Sequence, residues 1–170
     1  MRNIAIIALL LACVSVAGNA GNRKEFDLMK QENMKMKDKA EIYLAGGCFW
    51  GTEHFLKQIR GVEQTEVGYA NSQVPNPTYK EVCTGNTGAV ETVKVVYDPR
   101  TVDLDLLLDL YFQTIDPTSV NRQGGDSGLQ YRTGIYYIDK DDAPVIEAAI
   151  KDLAKDYACL LYTSPSPRDS

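Results

Sequence analysis

The chain has 170 residues, 44 % of them hydrophobic, and a net charge of −5 at pH 7. This is enough for one domain with a buried core. The acidic balance excludes the basic footprint that nucleic-acid binding requires, so no nucleic-acid partner is expected.

The first twenty residues combine Arg2, an apolar run from Ile4 to Leu11 and small residues at Gly18 and Ala20. They read as a signal peptide cleaved after Ala20. The run is short for a membrane-spanning helix. A second reading takes Leu10-Leu11-Ala12-Cys13 as a lipoprotein signal ending before Cys13, which would anchor the chain to a membrane. Either way the mature protein is expected outside the cytoplasm, secreted or periplasmic. Residues 21–40 mix charges without a hydrophobic period and read as a polar spacer.

A short strand is expected at 41–45 (EIYLA). The spacing of Phe55, Leu56 and Ile59 predicts a helix over 49–60, with Gly61 just past its end. Residues 62–69 read as a strand, 71–77 as a loop and 78–83 as a helical turn closed by Gly85. AVETVKVVY, 89–97, is β-rich and stops at Asp98-Pro99. Leu104, Leu107, Leu108 and Phe112 share one side of a helix predicted over 103–115. A glycine-rich loop follows at 116–130, then a strand at 133–139 and an amphipathic helix at 143–158. CLLYTSPSPRDS, 159–170, breaks the pattern and reads as a disordered or non-native tail on a C-terminally truncated domain spanning 41–158.

The order β-α-β, loop, β-α-β, helix predicts an α+β fold. It is that of a ferredoxin-like split β-α-β sandwich, with a mixed sheet and helices packed on one face.

Between strand and helix stands AGGCFWGTEHF. A cysteine that opens a helix feels the positive end of the helix dipole, which favours thiolate, the reactive form. A buried cysteine packing as a small hydrophobe is the competing reading of Cys48. Gly46 and Gly47 allow a sharp turn and leave the sulfur open to approach. Phe49 and Trp50 splay about 100° apart on a helix, so both cannot enter one core stripe. Together they can wall an apolar cup. The one histidine, His54, lies six residues on and turns about 600° away, which argues against a Cys-His dyad. One histidine and four scattered cysteines without C-x-x-C do not suit zinc, and no metal is expected. Any proton donor is then a carboxylic acid or a tyrosine.

GCFWGTE, followed by GYANS, NPTYKEVCTGNTGAVETVKVVYDP and RQGGDSGLQYR, resembles the methionine sulfoxide reductase A family from about residue 42 to 139. The resemblance implies thiol-dependent reduction of methionine-S-sulfoxide, free or in oxidised proteins, and repair of those proteins. It implies Cys48 as nucleophile, Phe49 and Trp50 as holders of the substrate methyl group, and Glu91 as proton donor to the leaving oxygen. Tyr79 and Tyr131 would hydrogen-bond that oxygen, and Asp126 would support the site. Burial of Glu91 in its β-rich run would raise its pKa and keep it protonated. A solvent-facing glutamate on an alternating strand is the plainer reading. No bound cofactor is implied. An external thioredoxin-like thiol reductant would reset the Cys48 sulfenic acid. Cys83 is the candidate resolving thiol, with a buried core cysteine as the alternative, and a fused reductase domain downstream is compatible with the family. Other thiol oxidoreductase or peroxidase chemistry, or an inactive truncated fragment, remain the competing functions.

Overall fold

A computed structural model describes residues 39–157 and 165–167. The proposed signal sequence, Cys13, nearly all of the spacer and Cys159 lie outside these residues.

The elements in chain order are β1 (Ala40–Ala45), α1 (Phe49–Leu56), β2 (Val62–Ala70), α2 (Tyr79–Val82), β3 (Val90–Tyr97) and α3 (Leu104–Phe112). A two-residue hairpin, β4 (Arg122–Gln123) and β5 (Asp126–Ser127), and a 3-10 turn at Leu129–Tyr131 follow. Then come β6 (Gly134–Tyr137), α4 (Ala143–Leu153) and β7 (Pro165–Pro167). The main sheet has the order β2-β3-β1-β6-β7. Among the described strands of this sheet only the β6–β7 pairing is parallel, so the sheet is mixed and the fold α+β.

Period-two alternation divides the sheet into two faces. Ile42, Leu44, Val93, Val95, Tyr97 and Ile135 point to one face and form the main core with Leu56 of α1, Leu107, Leu108 and Tyr111 of α3, and Ile146 of α4. Three helices therefore cover one face. Leu107 and Leu108 are wholly buried, and truncating either to Ala would cost about 2–5 kcal/mol. Tyr43, Ala45, Ala70, Val90 and Tyr136 form a smaller cluster on the opposite face.

Local chemistry explains the helix starts. Asp103 caps α3 by accepting from the Leu106 N–H at 2.9 Å. Thr78 and Glu81 form a reciprocal capping box that holds the single turn α2.

The structure departs from the sequence reading in several places. Helix α1 stops at Leu56, and Gly61, at φ +104°, serves the turn into β2 instead of the helix end. There a Cβ would lie 2.6 Å from Val102 Cγ1. Helix α4 gives way after Leu153 to a 3-10 turn. The 116–130 loop is built, containing the β4–β5 hairpin and most of a 3-10 turn. Residues 165–167, expected in a disordered tail, extend the sheet beside β6.

Candidate active site at the end of the central strand

β1 lies between β3 and β6 and runs antiparallel to both. The end of β1 is therefore met by the beginnings of its two neighbours. Leu44 pairs with Val93, which brings Glu91, two residues earlier, beside the Gly46-Gly47 turn. Ala45 pairs with Gly134, which brings the Tyr131 turn to the same place. The Gly47 N–H donates to the Tyr131 carbonyl at 3.2 Å. Antiparallel register thus collects at one sheet end residues that lie more than eighty positions apart.

Cys48 occupies the N-cap position of α1 and is half-buried, with a free thiol. Its carbonyl accepts the N–H groups of Gly51 and Thr52 at 3.1 and 3.2 Å. The glycines before it are buried and tightly backed. A Cβ on Gly46 would lie 2.4 Å from Ile115 Cγ2, and one on Gly47 would lie 2.8 Å from Gln123 Cβ. Gly47 also has φ +73°. Close backing from beneath, more than access from above, accounts for this pair. The Tyr111 hydroxyl donates to the Ala45 carbonyl at 2.6 Å and the Thr52 hydroxyl to the Gly46 carbonyl at 2.8 Å. Both sides of the turn are therefore fixed.

Glu91 is 3 % exposed. The same period that buries Val93 and Val95 points it to the helix-covered face, so it is not a solvent-facing strand residue. Its carboxylate accepts the Phe49 N–H at 3.1 Å, one residue from the thiol. Its pKa is raised, chiefly by burial and further by the Asp126 carboxylate, against a lowering by the Phe49 N–H. Asp126, on the β4–β5 hairpin, thus lies close enough to act on Glu91.

Phe49 packs partly against the core while Trp50 is 69 % exposed, their centroids 5.8 Å apart. Phe49 also meets Tyr69, at 5.9 Å between centroids. Tyr69 is a further member of the site, one to which its sequence motif assigns no role. It pairs directly with Glu91 across β2–β3, and its pKa is raised by burial first, then by Glu91, Cys83 and Tyr131. Only the strand register distinguishes it among ten tyrosines.

Tyr79 is exposed on α2, and its pKa is pushed up chiefly by Cys83 and then by Tyr131. Cys83 is exposed at the end of α2, so it is not the buried core cysteine of the alternative reading. Aromatic rings, a buried carboxyl, three phenol hydroxyls and two thiols therefore surround one sheet end. His54 is exposed on α1. No cluster of three or more metal-ligating side chains occurs among the described residues.

The family model described as peptide methionine sulfoxide reductase matches residues 40–166. The chain is 57 % identical over 116 residues to the peptide methionine sulfoxide reductase MsrA of Lachnoclostridium phytofermentans, covering 68 % of this chain and 70 % of the relative. Among solved structures it is similar to methionine sulfoxide reductase A of Corynebacterium diphtheriae, with 37 % identity and TM-score 0.68. That match covers 75 % of this chain and 63 % of the other. It is also similar to reduced Mxr1 of Saccharomyces cerevisiae, with 32 % identity and TM-score 0.73, over 79 % of this chain and 78 % of that one. Mxr1 in complex with Trx2 matches at 22 % identity and TM-score 0.59, covering 79 % of each chain, which speaks for the fold alone.

Proposed function

The chain belongs to the peptide methionine sulfoxide reductase family, and from that premise we propose that its site reduces methionine-S-sulfoxide, free or in oxidised proteins, through Cys48. The observation that carries this reading is the Glu91 carboxyl, buried, with raised pKa, and bonded to the N–H of the residue after the thiol. A buried acid beside a nucleophile is what a leaving oxygen requires.

The Cys48 thiolate attacks the sulfoxide sulfur while Glu91 gives its proton to the oxygen. Phe49 and Trp50 hold the methyl group, and Tyr79 and Tyr131 donate hydrogen bonds to the oxygen. Asp126 supports the site by helping to keep Glu91 protonated. The sulfoxide gains two electrons and becomes a sulfide. Cys48 loses two and, with the oxygen transferred to it, becomes a sulfenic acid.

Recycling is assigned to Cys83 and an external thioredoxin-like dithiol. The Cys83 thiol attacks the sulfenic sulfur, forms a disulfide and releases water. The dithiol then reduces that disulfide by exchange. The exposure of Cys83 and its contact with Tyr79 support this route.

The strand order β2-β3-β1-β6, with helices joining β1 to β2 and β3 to β6, supports a ferredoxin-like split β-α-β classification. The apolar run after Arg2 supports export from the cytoplasm by a signal peptide.

The test is thiol-dependent reduction of a methyl aryl sulfoxide by the whole chain. Cys48→Ser is expected to abolish it, and retained activity would overturn the assignment. Cys83→Ser is expected to leave the first turnover intact while slowing turnover with a thioredoxin-like reductant. Unchanged steady-state rates would remove Cys83 from the cycle.

A further inference from the structure

Glu91 and Tyr131 sit on separate pieces of chain, one on β3 and one on the 3-10 turn before β6. One side chain ties those pieces together. Arg132 Nη1 donates to the Leu129 carbonyl within the Tyr131 turn, and Nη2 donates to the Gly88 carbonyl, each at 2.9 Å. Gly88, at φ +69°, lies three residues before Glu91, in the turn that feeds β3.

We propose that Arg132 is a positioning residue that holds the Tyr131 hydroxyl and the Glu91 carboxyl in register for the sulfoxide oxygen. This rests on the sulfoxide-reductase reading above. A planar fork can hold carbonyls on two turns at once from separate nitrogens, whereas a single ammonium cannot match both in that geometry. No bond from Arg132 to Cys48 is needed. The Cys48 side of the site is held independently by the Tyr111 and Thr52 hydroxyls, so loss of Arg132 falls chiefly on the oxygen side. Displacing a reacting group by about 1 Å costs on the order of 100-fold in rate, so a small drift between the two turns is enough.

The experiment compares wild type, Arg132→Lys and Arg132→Gln in the full chain, two variants being made so that a folding failure in one leaves the other to decide. Two rates are read: single-turnover reduction of a methyl aryl sulfoxide, and alkylation of Cys48 by iodoacetamide. The expected result is a fall in reduction of roughly 10- to 100-fold, with alkylation within about two-fold and a shifted alkaline limb in the pH profile of reduction. In a Tyr131→Phe background the Arg132 effect should shrink several-fold, because the two act as a unit. The proposal is overturned if reduction stays near wild type, if reduction and alkylation fall together, or if the Arg132 effect is undiminished without the Tyr131 hydroxyl. Loss of sulfoxide reduction in the wild type itself would instead strike the functional reading on which the proposal rests.

Discussion

Replacing Glu91 with Gln separates chemistry from stability more cleanly than any other change in this protein. The glutamine keeps the shape, and its carbonyl oxygen still accepts the Phe49 N–H that now meets the carboxylate at 3.1 Å. What disappears is the transferable proton. General acid catalysis is worth about 100- to 10,000-fold, roughly 2.7–5.4 kcal/mol of barrier. First-turnover sulfoxide reduction should fall by that factor while substrate binding changes little. Stability should move the other way. Glu91 holds its proton more tightly in the fold than in the unfolded chain because burial disfavours its charge. Its contribution is therefore fully present below the ordinary carboxyl value and is lost as pH rises through the raised folded value. Gln does not titrate, so above that range Glu91→Gln should melt at or above the wild-type temperature. Wild-type reduction should decline on the alkaline side as Glu91 deprotonates, and the variant's profile should lack that decline. Stopped-flow single turnovers and thermal melts across pH measure both effects. A variant that reduces sulfoxide at a near wild-type rate, or one that is inactive because it is unfolded, would refute the reasoning.

Other substitutions probe the frame around the thiol. Tyr111→Phe removes the buried hydroxyl that bonds the Ala45 carbonyl, costing about 1–2 kcal/mol, which calorimetry should register as a Tm lower by roughly 2–8 °C. Gly47→Ala forces a side chain into a left-handed backbone against Gln123, so chemical denaturation should give a loss of about 1–2 kcal/mol or more, together with slower Cys48 alkylation. Trp50→Ala alters an exposed ring and should leave the melting temperature within the change expected of about 0.5 kcal/mol. It should also lower kcat/KM on methyl sulfoxides by roughly 10-fold, the scale of one lost apolar contact. An unchanged kcat/KM would leave Trp50 without a part in substrate binding.

The alternation of β-period and helix-period segments made the element order legible from sequence, because each element buries one face against the same core. Element ends were less legible. Gly61 looked like a helix terminus, but its left-handed backbone serves the packing of the β2 turn against Val102. The glycine-rich stretch from 116 to 130 read as a plain loop because what orders it is not local periodicity. The Gln123 side chain is bonded at both ends to the backbone of Asp116, and the turn before β6 is held to Gly88 by Arg132. At the site, Cys48, Phe49 and Trp50 are contiguous and were readable as a unit. Tyr69 was not, because its place opposite Glu91 depends on the β2–β3 register. The glycines before Cys48 were read as opening the sulfur to solvent. Their stronger constraint is the contact beneath them with Ile115 and Gln123.

The central claim is that Cys48 takes the oxygen from the substrate while Glu91 supplies the proton. A single turnover of the full chain with one equivalent of a methyl sulfoxide, without added reductant and with a sulfenic-acid trap such as dimedone present, tests it directly. One sulfide should form per chain, matched by label on Cys48 in competition with disulfide closure to Cys83, and neither product should form in Cys48→Ser. Sulfide formed while Cys48 remains a free thiol, or label on Cys83 in place of Cys48, would contradict it.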